Sequence, residues 1–340
     1  MEKTIFGSTN LMVGRTGFGC IPIQRVSFDE STALLRKAFE NGVTLYDTAT
    51  SYTNSEERIG VALSHVRDKI VICTKSSAQT PEKLMENIDN SLKMMKTDYV
   101  DVFQFHNPKV MPKPGGADGL YDCLLKAKEQ GKIRHIGISS HSKDVAREAV
   151  TSGLYEVLQY PLSYLSSEDE IELVALCKQH NVGFLAMKAM CGGLLKHAKA
   201  AFAFQRQFDN VIPIWGIQFM EELDEFLQYE AEPPGMDEGM MAQINADRTE
   251  LADNFCRSCG YCMPCPQGIP IPNAARITFL LGRTAKEKFL TTEWEDNMRR
   301  VDKCTTCGVC ITRCPYNLNI PEQLKRQQKG FFEIFEKEKV

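Results

Sequence analysis

The chain has 340 residues, 43% of them hydrophobic and 25% charged, and a formal net charge of −4. That length accommodates one large domain and a small one, and so slight an acidic balance gives no electrostatic reason to expect a nucleic-acid partner. No apolar stretch is long enough to span a membrane, and Met1 to Asn10 carries charges without an apolar core, so no anchor or secretory leader is expected and the location is expected to be cytoplasmic.

Up to about residue 230, short β-branched or apolar runs alternate with amphipathic stretches. Gly14-x-x-Gly17-x-Gly19 lies before and within the first run, Thr16–Cys20, and reads as a hairpin or a tight turn into a strand. Further strands are expected at Val43–Asp47, Ile70–Lys75, Tyr99–His106, Ile133–Ser139, Glu156–Tyr160, Gly183–Lys188 and Val211–Gly216. Helical periodicity marks Glu30–Glu40, Glu56–His65, Pro81–Met95, Leu120–Gln130, Lys143–Ser152 and Glu168–His180, with Asp29 and Ser55 as N-caps of the first two and Gly42 as a C-cap. Strand–helix alternation implies a parallel sheet, and eight units close a (β/α)8 TIM barrel. A doubly wound sheet would place its glycine-rich phosphate loop after the first strand, not before it.

Barrel chemistry sits where strands end at the C-terminal face. There the chain shows Asp47-Thr-Ala-Thr-Ser-Tyr52 after strand two, Thr74-Lys75 after strand three and Gln104-Phe-His106 after strand four. Together with Ser55-Glu56 and Asp98-Tyr-Val-Asp101-Val-Phe-Gln-Phe-His106, these motifs make residues of about 5–228 resemble the aldo-keto reductases. The resemblance implies a catalytic tetrad of Asp47, Tyr52, Lys75 and His106, and a small-molecule carbonyl or alcohol as substrate. Each residue type suits carbonyl reduction. A developing alkoxide needs a proton, and a tyrosine of ordinary pKa near 10 is a weak acid. Lys75 is expected to lower the pKa of Tyr52, Asp47 to hold Lys75, and His106 to donate a hydrogen bond to the substrate oxygen. Any one of these alone reads as a capping or packing residue; four at matching strand ends read as a site. His65, His180 and His197 are expected on helix surfaces, and His135 opens strand five.

The nucleotide signature is thinner. The family holds the nicotinamide carboxamide with a Ser-Asn pair after strand five and a Gln on strand six, where this chain has Ser139-Ser140 and Gln159. Met187 stands where the family often stacks a tyrosine on the nicotinamide. After strand eight, Gly216 and Gln218 fall on the pyrophosphate and adenosine side, followed by Glu221 and Glu222 with no cation. A 2′-phosphate would be repelled there. NADP(H) is therefore disfavoured, while NAD(H), or no nicotinamide at all, is compatible. No flavin fingerprint is present, although a barrel mouth can bind flavin without a linear motif. Arg25, Trp215 and Cys191 join Met187 as candidates for the mouth.

Glu230-Ala-Glu-Pro233-Pro234-Gly235 then breaks the pattern, where ordinary family members continue into a substrate-closing loop. Eight of the chain's 13 cysteines follow in two runs, Cys256-Arg-Ser-Cys259-Gly-Tyr-Cys262-Met-Pro-Cys265-Pro and Cys304-Thr-Thr-Cys307-Gly-Val-Cys310-Ile-Thr-Arg-Cys314-Pro. Three cysteines at every third position and a fourth before proline resemble the bacterial ferredoxin pattern for four-iron–four-sulfur clusters. Gly260 and Gly308 let the loops curl. In two-cluster ferredoxins the fourth cysteine of each run serves the other cluster. Carried over, one cluster takes Cys256, Cys259, Cys262 and Cys314, and the other takes Cys304, Cys307, Cys310 and Cys265. The first run has two residues before its fourth cysteine where three are usual. Zinc sites also use paired Cys-x-x-Cys, but need neither the third cysteine nor the Cys-Pro step. A disulfide framework needs an oxidising compartment, whereas these clusters suit an anaerobic or strongly reducing cell. Residues 256–320 carry nine Lys or Arg against five Asp or Glu, which balances anionic clusters or docks an acidic redox partner.

The expected division is a barrel over 1–229, a linker over 230–255, a two-cluster ferredoxin-like module over 256–320 and an amphipathic helical tail over 321–340 carrying Phe331, Phe332 and Phe335. Three functions fit. The first is a carbonyl oxidoreductase, an electron-transfer enzyme exchanging electrons through two 4Fe–4S clusters with a ferredoxin or other redox protein. The second is an NAD-dependent reductase with structural or sensing clusters. The third is a non-catalytic electron-transfer subunit on a barrel scaffold. The intact tetrad argues against the third, and the thinned nucleotide site against the second. The first must reconcile one-electron carriers with a two-electron reaction.

Overall fold

The structure, a computed structural model, describes residues 1–251, 255–283, 286–314 and 316–338. Asn254 at the end of the expected linker, Pro315 of the second Cys-Pro step and residues 339–340 of the tail lie outside them. The described chain divides into two compact units, Met1–Ala189 with Ala201–Met236, and Met190–Ala200 with Asp237–Val340.

The first unit opens with a hairpin that ends at Gly14, where the glycine motif begins: β1 (Lys3–Ile5) pairs antiparallel with β2 (Met12–Gly14). Eight strands follow, β3 (Gly17–Gly19), β4 (Leu45–Asp47), β5 (Val71–Ser76), β6 (Val100–His106), β7 (Ile133–Ser139), β8 (Val157–Pro161), β9 (Gly183–Met187) and β10 (Val211–Gly216). They form a closed parallel barrel in sequence order, with β10 pairing back to β3. This is the expected (β/α)8 barrel. Its interior is apolar: Leu45, Val71, Cys73, Val102, Val157, Leu185, Ile212 and Ile214 meet Phe6 and Val13 of the hairpin. The hairpin reaches the N-terminal end of the barrel, where Ser8 N–H donates to Asn181 O at 2.7 Å. Gly7 allows that approach, since a Cβ there would come within 2.2 Å of Gly183 N. The opposite, C-terminal end is left for chemistry.

The connecting helices are α1 (Phe28–Glu40), α2 (Ser55–Leu63), α3 (Pro81–Met95), α4 (Leu120–Glu129), α5 (Lys143–Thr151), α6 (Glu168–Gln179), α7 (Ala198–Arg206) and α8 (Met220–Ala231). Two caps differ from expectation. Ser27, not Asp29, caps α1, in a box where Glu30 N–H donates to Ser27 Oγ at 3.2 Å and Ser27 N–H to Glu30 Oε2 at 2.8 Å. The S-x-x-E spacing satisfies two end amides at once, which Asp29, already the second residue of the helix, cannot. Ser55 is the first residue of α2 instead of its cap, and its hydroxyl donates to Cys20 O at 2.9 Å. Gly42 lies one residue beyond the α1 cap Asn41, at φ +91°.

The second unit holds α9 (Glu238–Leu251), α10 (Ile271–Ala274), α11 (Ile277–Arg283), α12 (Thr292–Arg299), α13 (Val309–Thr312) and α14 (Ile320–Glu338). Within the expected linker, α9 is a regular helix of 14 residues. Phe331 and Phe335 of α14 are buried, stacked on one another at 5.2 Å between centroids, while Gln327 Oε1 accepts from Thr278 N–H at 2.9 Å. No helix among the described residues is long and apolar enough to cross a membrane.

Candidate active site and cluster cysteines

Strand parity aims the site. In β4, Leu45 and Asp47 point inward and Tyr46 outward; in β5, Val71, Cys73 and Lys75 share the inner face. Asp47 stands at the end of its strand beside Gly19 and Cys73, and Lys75 is registered opposite Gln104. Lys75 is 1% exposed and Asp47 3%. The ammonium donates to Asp47 Oδ1 at 2.9 Å, to Oδ2 at 2.7 Å and to Thr48 O at 2.7 Å. These contacts anchor the ammonium, and its charge is the larger part of its pull on Tyr52.

Tyr52 sits in the β4–α2 loop, its ring centroid 5.2 Å from Lys75 Nζ and 6.0 Å from the His106 ring, edge-on at 85°. Backbone bonds hold the loop: Thr50 N–H to Lys75 O at 3.0 Å and Ser55 N–H to Tyr52 O at 2.8 Å. Thr53, next in line, has φ +37°, an uncommon conformation for a β-branched residue and of the kind that collects at functional sites. Behind the loop, Glu56 Oε1 accepts from Thr74 Oγ1 at 2.6 Å and from Ser91 Oγ at 2.8 Å, tying α2 to β5 and α3. The Ser55-Glu56 pair is thus part of the frame that positions Tyr52. Asp101 of the same motif set is also framework, accepting from Arg67 at 2.6 Å and from Ile72 N–H at 2.9 Å.

Burial and charge decide the protonation states. Burial raises Asp47 above the ordinary carboxylate value, opposed by Lys75; burial alone would depress Lys75, but attraction to Asp47 leaves it above the usual lysine range. The expected downward pull of Lys75 on the Tyr52 pKa is present but is not the largest effect. Burial raises the pKa, and with repulsion from Asp47 it outweighs the pull of Lys75. Tyr52 therefore holds its proton more firmly than a free tyrosine does.

His106, at the end of β6, is pushed from 6.5 down to about 3 by burial and by the charge of Lys75. It is a neutral imidazole in the working range. The folded site rejects a proton that the unfolded chain binds. Its contribution to stability is complete above pH 6.5 and is lost as pH falls toward 3. An NMR titration of the His106 ring should show no midpoint between pH 5 and 8; a midpoint near 6.5 would refute this environment.

The nucleotide candidates stay at strand ends but are partly engaged already. Ser139 Oγ accepts from Asn107 N–H at 3.2 Å, and Ser140 Oγ donates to Ser142 O at 3.1 Å. Gln159 Nε2 donates to Asp47 Oδ2 at 3.2 Å, while its buried Oε1 finds no partner among the described residues. Met187 ends β9, half-buried on the core, and Gly216 is exposed at the end of β10. Gln218 N–H and Phe219 N–H both donate to Glu222 Oε2, at 2.7 and 3.0 Å. A carboxylate thus occupies amides at the start of α8 where an anion would otherwise bind. Trp215 does not line the mouth. Its parity turns it outward, stacked on Phe226 at 4.4 Å and Phe202 at 5.9 Å.

One buried polar neighbour was missed. Gln104 Nε2 stands 3.4 Å from Asp47 Oδ1 as a donor, so two amides flank the carboxylate. The signal was available: Gln104 precedes His106 by two, and alternation along a strand puts both on one face.

In the second unit the two cysteine runs repeat one backbone. Ser258 and Gly260 have φ +56° and +84°, and Thr306 and Gly308 have +50° and +77°. Left-handed residues two and four places after each first cysteine curl both loops alike. A pocket gathers Cys262, Cys265, Cys304, Cys307 and Cys310 with Ile269, Ile271 and Leu324. Cys265 and Cys262 of the first run thus both stand beside the second. Conversely, Cys256 lies within electrostatic reach of Cys259 and of Cys314. Among the described residues no three Cys, His, Asp or Glu side chains are gathered for a single metal ion. Cys256 and Cys262 are buried, whereas Cys307 is exposed.

The profile described as the Aldo/keto reductase family matches residues 10–244, and that of a 4Fe-4S dicluster domain matches residues 255–319. The chain is 28% identical to the aldo-keto reductase YhdN of Bacillus subtilis over 57% of its own length and 64% of that protein, just under two thirds. It is 27% identical to the NADH-specific methylglyoxal reductase of Escherichia coli over 57% of itself and 69% of that protein. In fold it is similar to the aldo-keto reductase AKR11C1 of Bacillus halodurans, with a TM-score of 0.63 at 21% identity, covering 72% of this chain and 96% of the other.

Proposed function

Since this chain belongs to the aldo/keto reductase family, we propose that it interconverts a small carbonyl compound and its alcohol while exchanging electrons with a redox protein through two 4Fe–4S clusters. The observation that carries the proposal is the union of a complete tetrad, built on the buried Asp47–Lys75 pair, with a matching dicluster domain in one chain. Reducing one carbonyl takes two electrons and two protons. Two one-electron clusters match the electron count; Tyr52 supplies one proton to the carbonyl oxygen as it becomes an alkoxide, and a proton from solvent forms the new C–H bond. The charge of Lys75, held by Asp47, stabilises the phenolate left behind. Neutral His106 donates an N–H to the same oxygen and orients it.

Cys256, Cys259, Cys262 and Cys314 would hold one cluster, and Cys304, Cys307, Cys310 and Cys265 the other. The repeated loop backbone and the company Cys265 keeps with the second run support that division. Bound clusters supply one-electron transfer.

A nicotinamide, if bound, supplies hydride to the carbonyl carbon. One observation favours this second reading, in which NADH reduces the substrate and the clusters are structural or sensing. The unpartnered Gln159 Oε1 is a free acceptor for a carboxamide N–H. Glu222 on the α8 amides disfavours a 2′-phosphate, and a relative with a printed NADH specificity points the same way. Glu222→Ala should raise affinity for NADPH relative to NADH several-fold, the scale of about 1 kcal/mol for a charge at a helix N-terminus; unchanged relative affinities would remove Glu222 from cofactor selection.

The deciding experiment is anaerobic reconstitution followed by titration with reduced ferredoxin, NADH and NADPH. Electron delivery through the clusters predicts that pre-reduced clusters reoxidise when a carbonyl substrate is added. Turnover with NADH that survives Cys304→Ser and Cys307→Ser, with the fold intact, sinks that route in favour of the second reading.

A further inference from the structure

Arg276, in the turn between α10 and α11, is 7% exposed, and its Nε and Nη1 have no hydrogen-bond partner among the described residues. A guanidinium cannot shed its charge on burial as a lysine can. Buried charges persist where an opposite charge compensates them. The titratable groups that bear on Arg276 are Cys256 and Cys191, which carry negative charge only as thiolates. Geometry brings the first of these close. Arg276 N–H bonds to Asn273 O at 3.1 Å, and Cys256 Sγ lies 3.8 Å from Pro272 O, so one short turn both carries the arginine and touches the thiol. The 190–200 segment covers the guanidinium from another side: a Cβ built on Gly192 would stand 3.6 Å from Nη1.

We propose that Arg276 is the built-in counter-charge of the cluster held by the first cysteine run, donating Nε–H and Nη1–H to its sulfur atoms and raising its midpoint potential. The inference rests on the reading of Cys256, Cys259, Cys262 and Cys314 as cluster ligands. Reduction adds one negative charge to a cluster that is already anionic. A fixed cation beside it stabilises the reduced form more than the oxidised one, and hydrogen bonds to sulfur act in the same direction. Low local dielectric strengthens both effects, since Cys256 and Cys262 are buried. The second run differs. Thr305, Thr306 and Cys307 are exposed, so water screens its cluster. An electron arriving at the exposed cluster then runs downhill to the buried one, which burial alone would make the harder of the two to reduce.

The test is a potentiometric titration followed by EPR on the reconstituted full chain, with Cys307→Ser used to assign the two signals. Iron and sulfide are counted first; a chain that takes up no clusters refutes the ligand assignment itself. With clusters present, Arg276→Gln should lower the midpoint of the first-run cluster alone. The reduced-to-oxidised ratio at fixed potential should fall at least tenfold, equivalent to about 59 mV for one electron. Arg276→Lys keeps the charge and should stay nearer the parent. Loss of the first-run cluster in the glutamine variant but not the lysine variant also supports a charge requirement. No shift, an equal shift of both clusters, or the same behaviour in both variants overturns the proposal.

Discussion

Tyr52→Phe is expected to lower the rate of carbonyl turnover by about 10²–10⁴-fold, the scale of a positioned general acid, with KM and cluster content little changed. The substitution removes one oxygen from a ring that otherwise keeps its place against His106, 6.0 Å away, and Lys75, 5.2 Å from its centroid. What disappears is the proton that burial holds on the phenol. Neighbouring groups do not replace it. His106 is already neutral and has no second proton to give, and the Lys75 N–H groups are bound to Asp47 and Thr48. Single-turnover rates of the two proteins at matched cluster loading make the measurement. Equal rates would take Tyr52 out of the mechanism.

Lys75→Met should cost both stability and activity. Removing one partner of a buried ion pair destabilises by about 3–5 kcal/mol, because the other charge is left without compensation. Here the remaining Asp47 would keep only the amides of Gln104 and Gln159, at 3.4 and 3.2 Å, and is raised by burial even with lysine present. It should therefore take up a proton near neutral pH. The double variant Lys75→Met with Asp47→Leu should recover much of the lost stability, since apolar replacement of a buried pair is often neutral or favourable. It should recover none of the activity. Denaturant titration of the three proteins measures the first effect and carbonyl turnover the second. A single variant losing under about 1 kcal/mol would mean the pair is solvated.

How much was legible depended on range. Hydrophobic periodicity of two and 3.6 set the eight strands and the six helices α1 to α6 to within a few residues, because each element's buried face is written in adjacent positions, whereas α7 (Ala198–Arg206) and α8 (Met220–Ala231) were not among the expected helices. Strand ends carried Asp47, Lys75 and His106 into view, since a closed parallel barrel puts all such ends on one face. The two strands of the opening hairpin were not among those expected, because three-residue strands such as Lys3–Ile5 carry too little alternation. Asp29 displaced Ser27 as the expected cap because both are good capping types, and only the backbone conformation distinguishes them.

The residue identities alone specify the barrel, the tetrad and the pair of cysteine runs, because each rests on spacing along the chain. Protonation and partnership rest on distances across it. Lys75 was expected to lower the pKa of Tyr52, yet burial prevails. Glu221 and Glu222 were both merely acids near a phosphate site, yet only Glu222 caps the amides of Gln218 and Phe219. Cys265 belongs to the first run in sequence and stands with the second in space. Arg276 had no motif, and only the packed second unit reveals a guanidinium buried beside Cys256. Desolvation and Coulomb energy depend on what surrounds a group in three dimensions, and residues far apart in the chain create those surroundings only once it folds.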